Sequence, residues 1–349
     1  MRYTRTLQDT VQEFAFGFNS HKTGTSLMKA RYLSLAPFIH WQHTPRPIPW
    51  AERFGRDAPL QIEIGFGNGE FLVRQAQTHP DQNFVGIEVE WQSLQRCLRK
   101  TAQAGLTNVR LLQIDARVAL ERLFLPQSVH RAYALFPCPW PKERHAKFRL
   151  FSHGFLRLLN SRLTPHSEAQ LVTDHRPYME WVLEQAPGTG FEVQCDPIPP
   201  SFSTKYERKW RDQGQQQFYQ LQFTNVQSQP LPLIEDIVLQ THRVDHFDPD
   251  RFQPVNELGL MTIKFRDFIY DPVRQRGMVW VLAVEDGLMQ EFWIEMTCEN
   301  ENRWHIRPAR GCPTVPTMSV QRALDLVRDA ALQPAPRKHA PETCAGNMR

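Results

Sequence analysis

Two stretches of the chain carry residue types that could do chemistry. One is "IEIGFGNGEF", with Glu63, Gly65, Gly67 and Gly69 spaced two apart. Glycines at the carboxyl end of a strand let the backbone approach a ligand closely. A nicotinamide-dinucleotide loop is an alternative, but it wants its third glycine one place later, where this chain has Glu70. The other stretch is "ALFPCPWPKERHAKF", Ala134 to Phe148, an apolar run broken by prolines and followed by Lys142, Arg144, His145, Lys147 and Arg149. Cys138 at its centre offers a weak S–H donor, a thiolate held by Lys142 and Arg144, or only a small side chain filling the turn.

Further acids frame the glycine loop. Glu88 stands 21 residues after Gly67, where a carboxylate can accept both hydroxyls of a ribose. Asp115, after the next strand, can reach an adenine amine. Acids closing three successive strands around glycines, with no phosphate-binding group among them, describe a pocket for a cationic adenosine ligand. S-adenosylmethionine fits that description. An ordinary capping role for all three acids is the plain alternative.

The elements that must position these residues follow from periodicity. "LQIEI", "NFVGIEVE", "NVRLLQI", "VHRAYALF" and "EAQLVTD" read as strands, separated by "GEFLVRQAQTHP", "WQSLQRCLRKTAQAG", "RVALERLF" and "FSHGFLRLLNSRL" as helices. "RPYMEWVLEQA" is a further helix, and "FEVQC" and "QQFYQLQFT" follow as consecutive strands with no helical pattern between them. The expected fold is α/β, a Rossmann-like, mostly parallel sheet with an antiparallel edge strand. After residue 225, strand-like runs and "SVQRALDLVRDAAL", a helix behind a Ser319 cap, predict a small C-terminal α+β domain. The expected boundaries are a basic N-terminal extension over 1–55, the α/β domain over 56–225, the α+β domain over 226–332 and a disordered tail over 333–349. "HTPRPIPW", ending at Trp50, reads as an extended connector.

The motifs "EIGFGNGEF", "GIEVE", "FPCPWPKERH", "VTDHRPY" and "STKYERK", in this order, closely resemble the bacterial tRNA (guanine-N7-)-methyltransferase family. The resemblance spans about residues 60–224 and implies a class I S-adenosylmethionine-dependent methyltransferase fold. It also implies methyl transfer to N7 of a guanine in the variable loop of tRNA. On it, Glu63, Glu88 and Asp115 match cofactor contacts, with Gly65, Gly67 and Gly69 forming the cofactor loop. Lys142, Asp174, Thr204, Lys205, Tyr206 and Glu207 match substrate-side positions, and Arg144 joins them from the basic loop. The family usually carries aspartate where this chain has Cys138, and histidine is common at Pro141. Guanine N7 bears a lone pair and no proton, so alignment rather than a general base is what the reaction needs. Loss of the aspartate is expected to slow the reaction without ending it, with Asp174 left to hold the base. Trp140 and Tyr206 are candidates to stack on an extruded base.

Composition agrees with a folded chain in water: 349 residues, 41% hydrophobic, 22% charged and a net charge of +4. The charge is uneven. Residues 1–50 carry six Lys/Arg against two Asp/Glu, while 226–349 carry 14 against 17. A polyanion is therefore expected on the front and middle of the chain. Phosphate contacts are expected from the cluster Lys142, Arg144, His145, Lys147 and Arg149, with Lys205, Arg208, Lys209 and Arg211 as a second basic run. Six cysteines without a C-x-x-C pair argue against zinc, so no metal is expected, and reduced thiols suit a cytoplasmic setting. No membrane span is expected, and tRNA is the expected partner, bound by a monomer or homodimer. The C-terminal rings Phe265, Phe268, Trp280, Phe292, Trp293 and Trp304 are read mainly as core. The rival readings are a class I methyltransferase acting on a small molecule or protein, and a tRNA-binding homologue impaired by Cys138.

Overall fold

A computed structural model describes residues 33–332 apart from 213, 215, 216, 301 and 302. The disordered-tail expectation and all the basic residues of 1–32 lie outside the described residues. From Ser34 onward the described chain belongs to one compact unit.

Helix α1 (Trp50–Phe54) leads into β1 (Leu60–Ile64), α2 (Glu70–Thr78), β2 (Asn83–Glu88), α3 (Trp91–Gln103) and β3 (Val109–Gln113). Then come α4 (Ala116–Arg122), β4 (Val129–Leu135), α5 (His153–Arg162), β5 (Leu163–Thr173), α6 (Arg176–Gln185), β6 (Phe191–Ile198), α7 (Lys205–Asp212) and β7 (Phe218–Asn225). The sheet order is β3-β2-β1-β4-β5-β7-β6. The strands from β1 to β5 pair in parallel, whereas β7 runs antiparallel to both β5 and β6. Strand β1 is buried at all five positions, as expected where helices cover both faces. The chain order reverses between β1 and β4, so their carboxyl ends open a crevice there. The glycine loop and the Pro-Cys-Pro-Trp turn lie at that crevice.

One local expectation needs correction here. The segment between β6 and β7 contains α7, where no helix was expected. "KYERKWRD" offers only Tyr206 and Trp210 as apolar residues, and its inward residue is the carboxylate of Glu207, 3% exposed. Apolar periodicity cannot register a helix that buries a charged group. The connector before β1, with the residues just ahead of it, is anchored to the sheet that follows. Ile39, Trp41, Ile48 and Trp50 join the main core. The Trp41 indole donates to the Gln113 carbonyl at 3.1 Å, and the Ile39 amide to Leu111 at 2.9 Å.

The second sheet has the order β8-β13-β12-β11-β10-β9 and is antiparallel throughout: β8 (His242–Val244), β9 (Glu257–Leu258), β10 (Thr262–Asp271), β11 (Arg276–Glu285), β12 (Leu288–Asn300) and β13 (Arg303–Pro308). Helix α8 (Met318–Ala331) covers one face through Val320, Ala323, Leu324 and Val327. Its cap is Thr317 rather than Ser319. Thr317 is extended and its hydroxyl accepts from the Val320 amide, while Ser319 already lies within the helix, 1% exposed. Phe292 and Trp304 are core, as expected, but Trp280 and Trp293 stack on each other on the opposite face, 6.1 Å apart. The two sheets share packing, since Leu288 and Val315 join the first core. Buried Arg162 donates to the carbonyls of Leu120, Leu231 and Pro232, tying down the chain that links them.

Candidate active site

Glu63, Gly65, Gly67, Thr204 and Lys205 line one pocket with Phe66, Asn68, Glu70 and Leu135. Glu63 enters it from the end of β1, beside Tyr133 of β4 in register. It is 3% exposed, and its Oε2 has no hydrogen-bond partner. Burial pushes its carboxyl well above the usual range, opposed by the Leu72 amide at the start of α2 and by Arg74. A buried carboxylate with an orphan oxygen is costly unless a ligand supplies the donor or charge.

The loop above it depends on backbone that glycine adopts freely: φ is +68° at Gly65, +54° at Gly67 and +70° at Gly69. A Cβ at Gly69 would lie 2.3 Å from Cys97 Sγ, so this glycine lets α2 and α3 meet. A Cβ at Gly65 would meet nothing within 4 Å, so the space over that residue is open. Glu88 holds the loop from below: Oε2 accepts from the Gly67 amide at 3.0 Å, and Oε1 from Val89 and Glu90 at 2.8 and 3.1 Å. Asp115 caps α4, accepting from the Arg117 amide at 2.8 Å.

Glu70 acts here in a way the sequence did not suggest. Its carboxylate accepts from the Lys205 amide at 2.6 Å and from Arg208 at 2.7 Å, and it faces Lys100 at 3.4 Å. Burial works against its charge, but Arg208, Lys100 and the Lys205 amide outweigh it and hold its pKa below the usual value. Glu70 thus ties the start of α7 across the glycine loop, and the enclosed space is about 20 Å³, room for one water.

On the other side, Cys138 is an exposed free thiol, and Lys142 and Arg144 are exposed too. Arg149, read with them as a phosphate contact, is not available. It is 9% exposed and donates to the carbonyls of Pro139 and Trp140 at 3.1 and 3.3 Å. Asp174, at the end of β5, is half-buried, and burial raises its carboxyl pKa against the pull of its own backbone amide, His175 and Lys209. Thr204 caps α7 through its hydroxyl, 3.2 Å from the Glu207 amide. Glu207, expected on the substrate side, spends its carboxylate inside the protein, accepting from the amides of Ser201 at 2.6 Å, Phe202 at 2.9 Å and Ser203. It shapes the loop that presents Thr204 and Lys205. Tyr206 lies on α7, with its side chain outside the described residues.

A reversed sheet order that ends with β7 antiparallel between β5 and β6 is the class I methyltransferase arrangement, and a family model described as a putative methyltransferase matches residues 57–220. More particular relatives exist. A tRNA (guanine-N(7)-)-methyltransferase of Chlorobium phaeobacteroides is 45% identical over 173 residues, 49% of this chain and 85% of that protein. Proteins of the same name from Thermotoga maritima and Deinococcus radiodurans are 32% and 31% identical, over 81% and 78% of this chain and 93% and 89% of their own. The chain belongs to the tRNA (guanine-N(7)-)-methyltransferase family. The match to the Thermotoga protein runs over 293 residues, too many for the first sheet alone, so it reaches into the second.

Proposed function

We propose that the chain methylates N7 of a variable-loop guanine in tRNA, using S-adenosylmethionine. The observation that carries this reading is the buried, unpartnered carboxylate of Glu63 under a glycine loop with open space above Gly65. Those features suit a ligand with a cationic amino-acid end. Glu63 would meet that end, Gly65 and Gly67 would let backbone approach it, and Glu88 and Asp115 would hold the ribose and adenine. When bound, the cofactor supplies an electrophilic methyl group. For a ligand of that size, the α7 end held by Glu70 has to lift.

The chain's own residues then have an orienting task. No residue has to remove a proton from guanine N7, so Asp174 and Cys138 act by holding the base in line. Such alignment is worth about 7–11 kcal/mol when the geometry is right. Lys142 and Arg144 would contact phosphates, positioning the RNA without reading its sequence.

Purified protein, labelled S-adenosylmethionine and an unmodified tRNA transcript make the test, with the product mapped for 7-methylguanine. Label at one guanine N7 is the expected result. Transfer to protein or small molecules, with tRNA ignored, would replace this reading by the first rival. Binding of tRNA without transfer would mark a homologue impaired at Cys138.

A further inference from the structure

The turn after β4 carries a surface that its own packing does not explain. Trp140 is a non-glycine residue at φ +44°, a left-handed conformation that costs about 1–2 kcal/mol. Such strain persists only where the surroundings impose it. Here the buried Arg149 guanidinium imposes it, bonded to the Trp140 carbonyl and stacked over the Trp181 ring at 5.0 Å. The Arg149 carbonyl is held in turn by Arg117 at 3.0 Å. Yet the ring so positioned is not buried. Trp140 is 37% exposed and Phe148 50% exposed, and their centroids are 5.4 Å apart. His145 stands edge-on to Trp140 at 5.7 Å and lies 6.1 Å from Phe148. The 3-10 turn Glu143–Phe148 that bears His145 and Phe148 has no buried residue.

Two exposed rings clustered with a half-buried histidine have lost much of the reward of burial, while a buried arginine is committed to holding one of them in place. The surrounding charge suggests what covers them. Lys142, Arg144 and Lys147 are exposed on the same turn against Glu143 alone, and the Lys147 ammonium sits 5.3 Å from the Phe148 centroid. Aromatic faces set among cations suit a polyanion that carries flat rings.

We propose that Trp140, His145 and Phe148 form a stacking platform for an unstacked base of the RNA strand, with Lys142, Arg144 and Lys147 on its phosphates. Arg149 is the positioning residue that keeps the platform open. This rests on the tRNA reading above and sharpens it, because Phe148 and His145 had no stacking role in the sequence reading and Arg149 had a different one.

The test compares full-length Phe148→Leu and Phe148→Trp with the unsubstituted chain, using an unmodified tRNA transcript. Leucine keeps the apolar bulk and removes the π-face, whereas tryptophan keeps both. The expected result is that Phe148→Leu raises KM for tRNA about tenfold, the scale of one lost base stack. It should leave kcat and S-adenosylmethionine affinity unchanged, and Phe148→Trp should restore KM. Arg149→Lys should raise KM similarly, with no further rise when combined with Phe148→Leu. An unchanged KM in Phe148→Leu would overturn the platform. So would an equal loss in Phe148→Trp, or a changed oligomeric state with tRNA binding intact, which would make the patch a protein contact. If the unsubstituted chain transfers no methyl group, the function reading fails by itself. Transcript binding by gel shift, unsubstituted against Phe148→Leu, then still decides the platform.

Discussion

The two halves of the site are built on opposite physical terms. The cofactor half is largely dry: Glu63 is 3% exposed, Gly69 packs on Cys97, and the half-buried Glu88 carboxylate holds the loop through the Gly67 amide. The substrate half is wet. Cys138, Lys142 and Arg144 are exposed, and order comes from buried groups behind the surface, Arg149 behind the turn and Glu207 behind the 201–205 loop. Burial makes an interaction strong and a substitution costly, while exposure makes it tunable. Changes in the dry half should therefore break the protein or its cofactor affinity, and changes in the wet half should alter rate and RNA affinity.

The largest expected effect is Gly69→Ala. The new Cβ would sit 2.3 Å from Cys97 Sγ at φ +70°, so overpacking and backbone strain add. Together they should cost roughly 2–5 kcal/mol, read as a lower melting temperature and lost S-adenosylmethionine binding by calorimetry. Retained stability and affinity would show that α2 and α3 separate easily there.

Next comes Glu63→Gln, which keeps the shape and removes the charge. Loss of a charged hydrogen bond costs about 1.5–3 kcal/mol, so cofactor affinity should fall tenfold or more. The pH dependence has a definite sign. Burial raises the folded-state pKa of Glu63, so in the free protein its ionisation costs stability as pH rises through that range. On the proposed reading, in which Glu63 meets the cationic end of the cofactor, binding needs the charged form. Affinity should therefore fall on acidification at a higher pH than an ordinary carboxylate would give, and Glu63→Gln should flatten that limb in a calorimetric pH series.

Moving to the wet half, Cys138→Asp should raise turnover. A carboxylate there accepts hydrogen bonds from the guanine edge, worth about 1–2 kcal/mol, or five- to thirtyfold in kcat. Cofactor affinity should not change. Unaltered turnover would mean that Asp174 already orients the base alone.

The smallest effect is Lys142→Ala. It should leave kcat unchanged and reduce the slope of log tRNA affinity against log salt by about 1, one phosphate contact fewer. An unchanged slope would take Lys142 off the RNA path.

Much of this arrangement was legible along the chain. The first five strands and their helices follow local periodicity, and the glycine loop with Glu63 and Glu88 is a contiguous signal. Other parts were not. Arg149 reads like its neighbours Lys142 and Arg144, and only the return of its guanidinium onto Pro139 and Trp140 separates them. Glu207 and Glu70 look like surface acids, yet one is sealed under a loop and the other ties two helices together. Arg46, counted with the basic extension, is committed to Asp236 beside Arg122.

By itself the sequence determined the alternation of strand and helix, the place where glycine must stand, and which acids could close strands around a ligand. These depend on residues within a few positions of one another, where steric and periodic rules act. Tertiary structure alone decided which charges face water and which are used inside. The desolvation cost that makes that choice depends on neighbours far along the chain, such as Gly69 on Cys97 and Lys205 on Glu70.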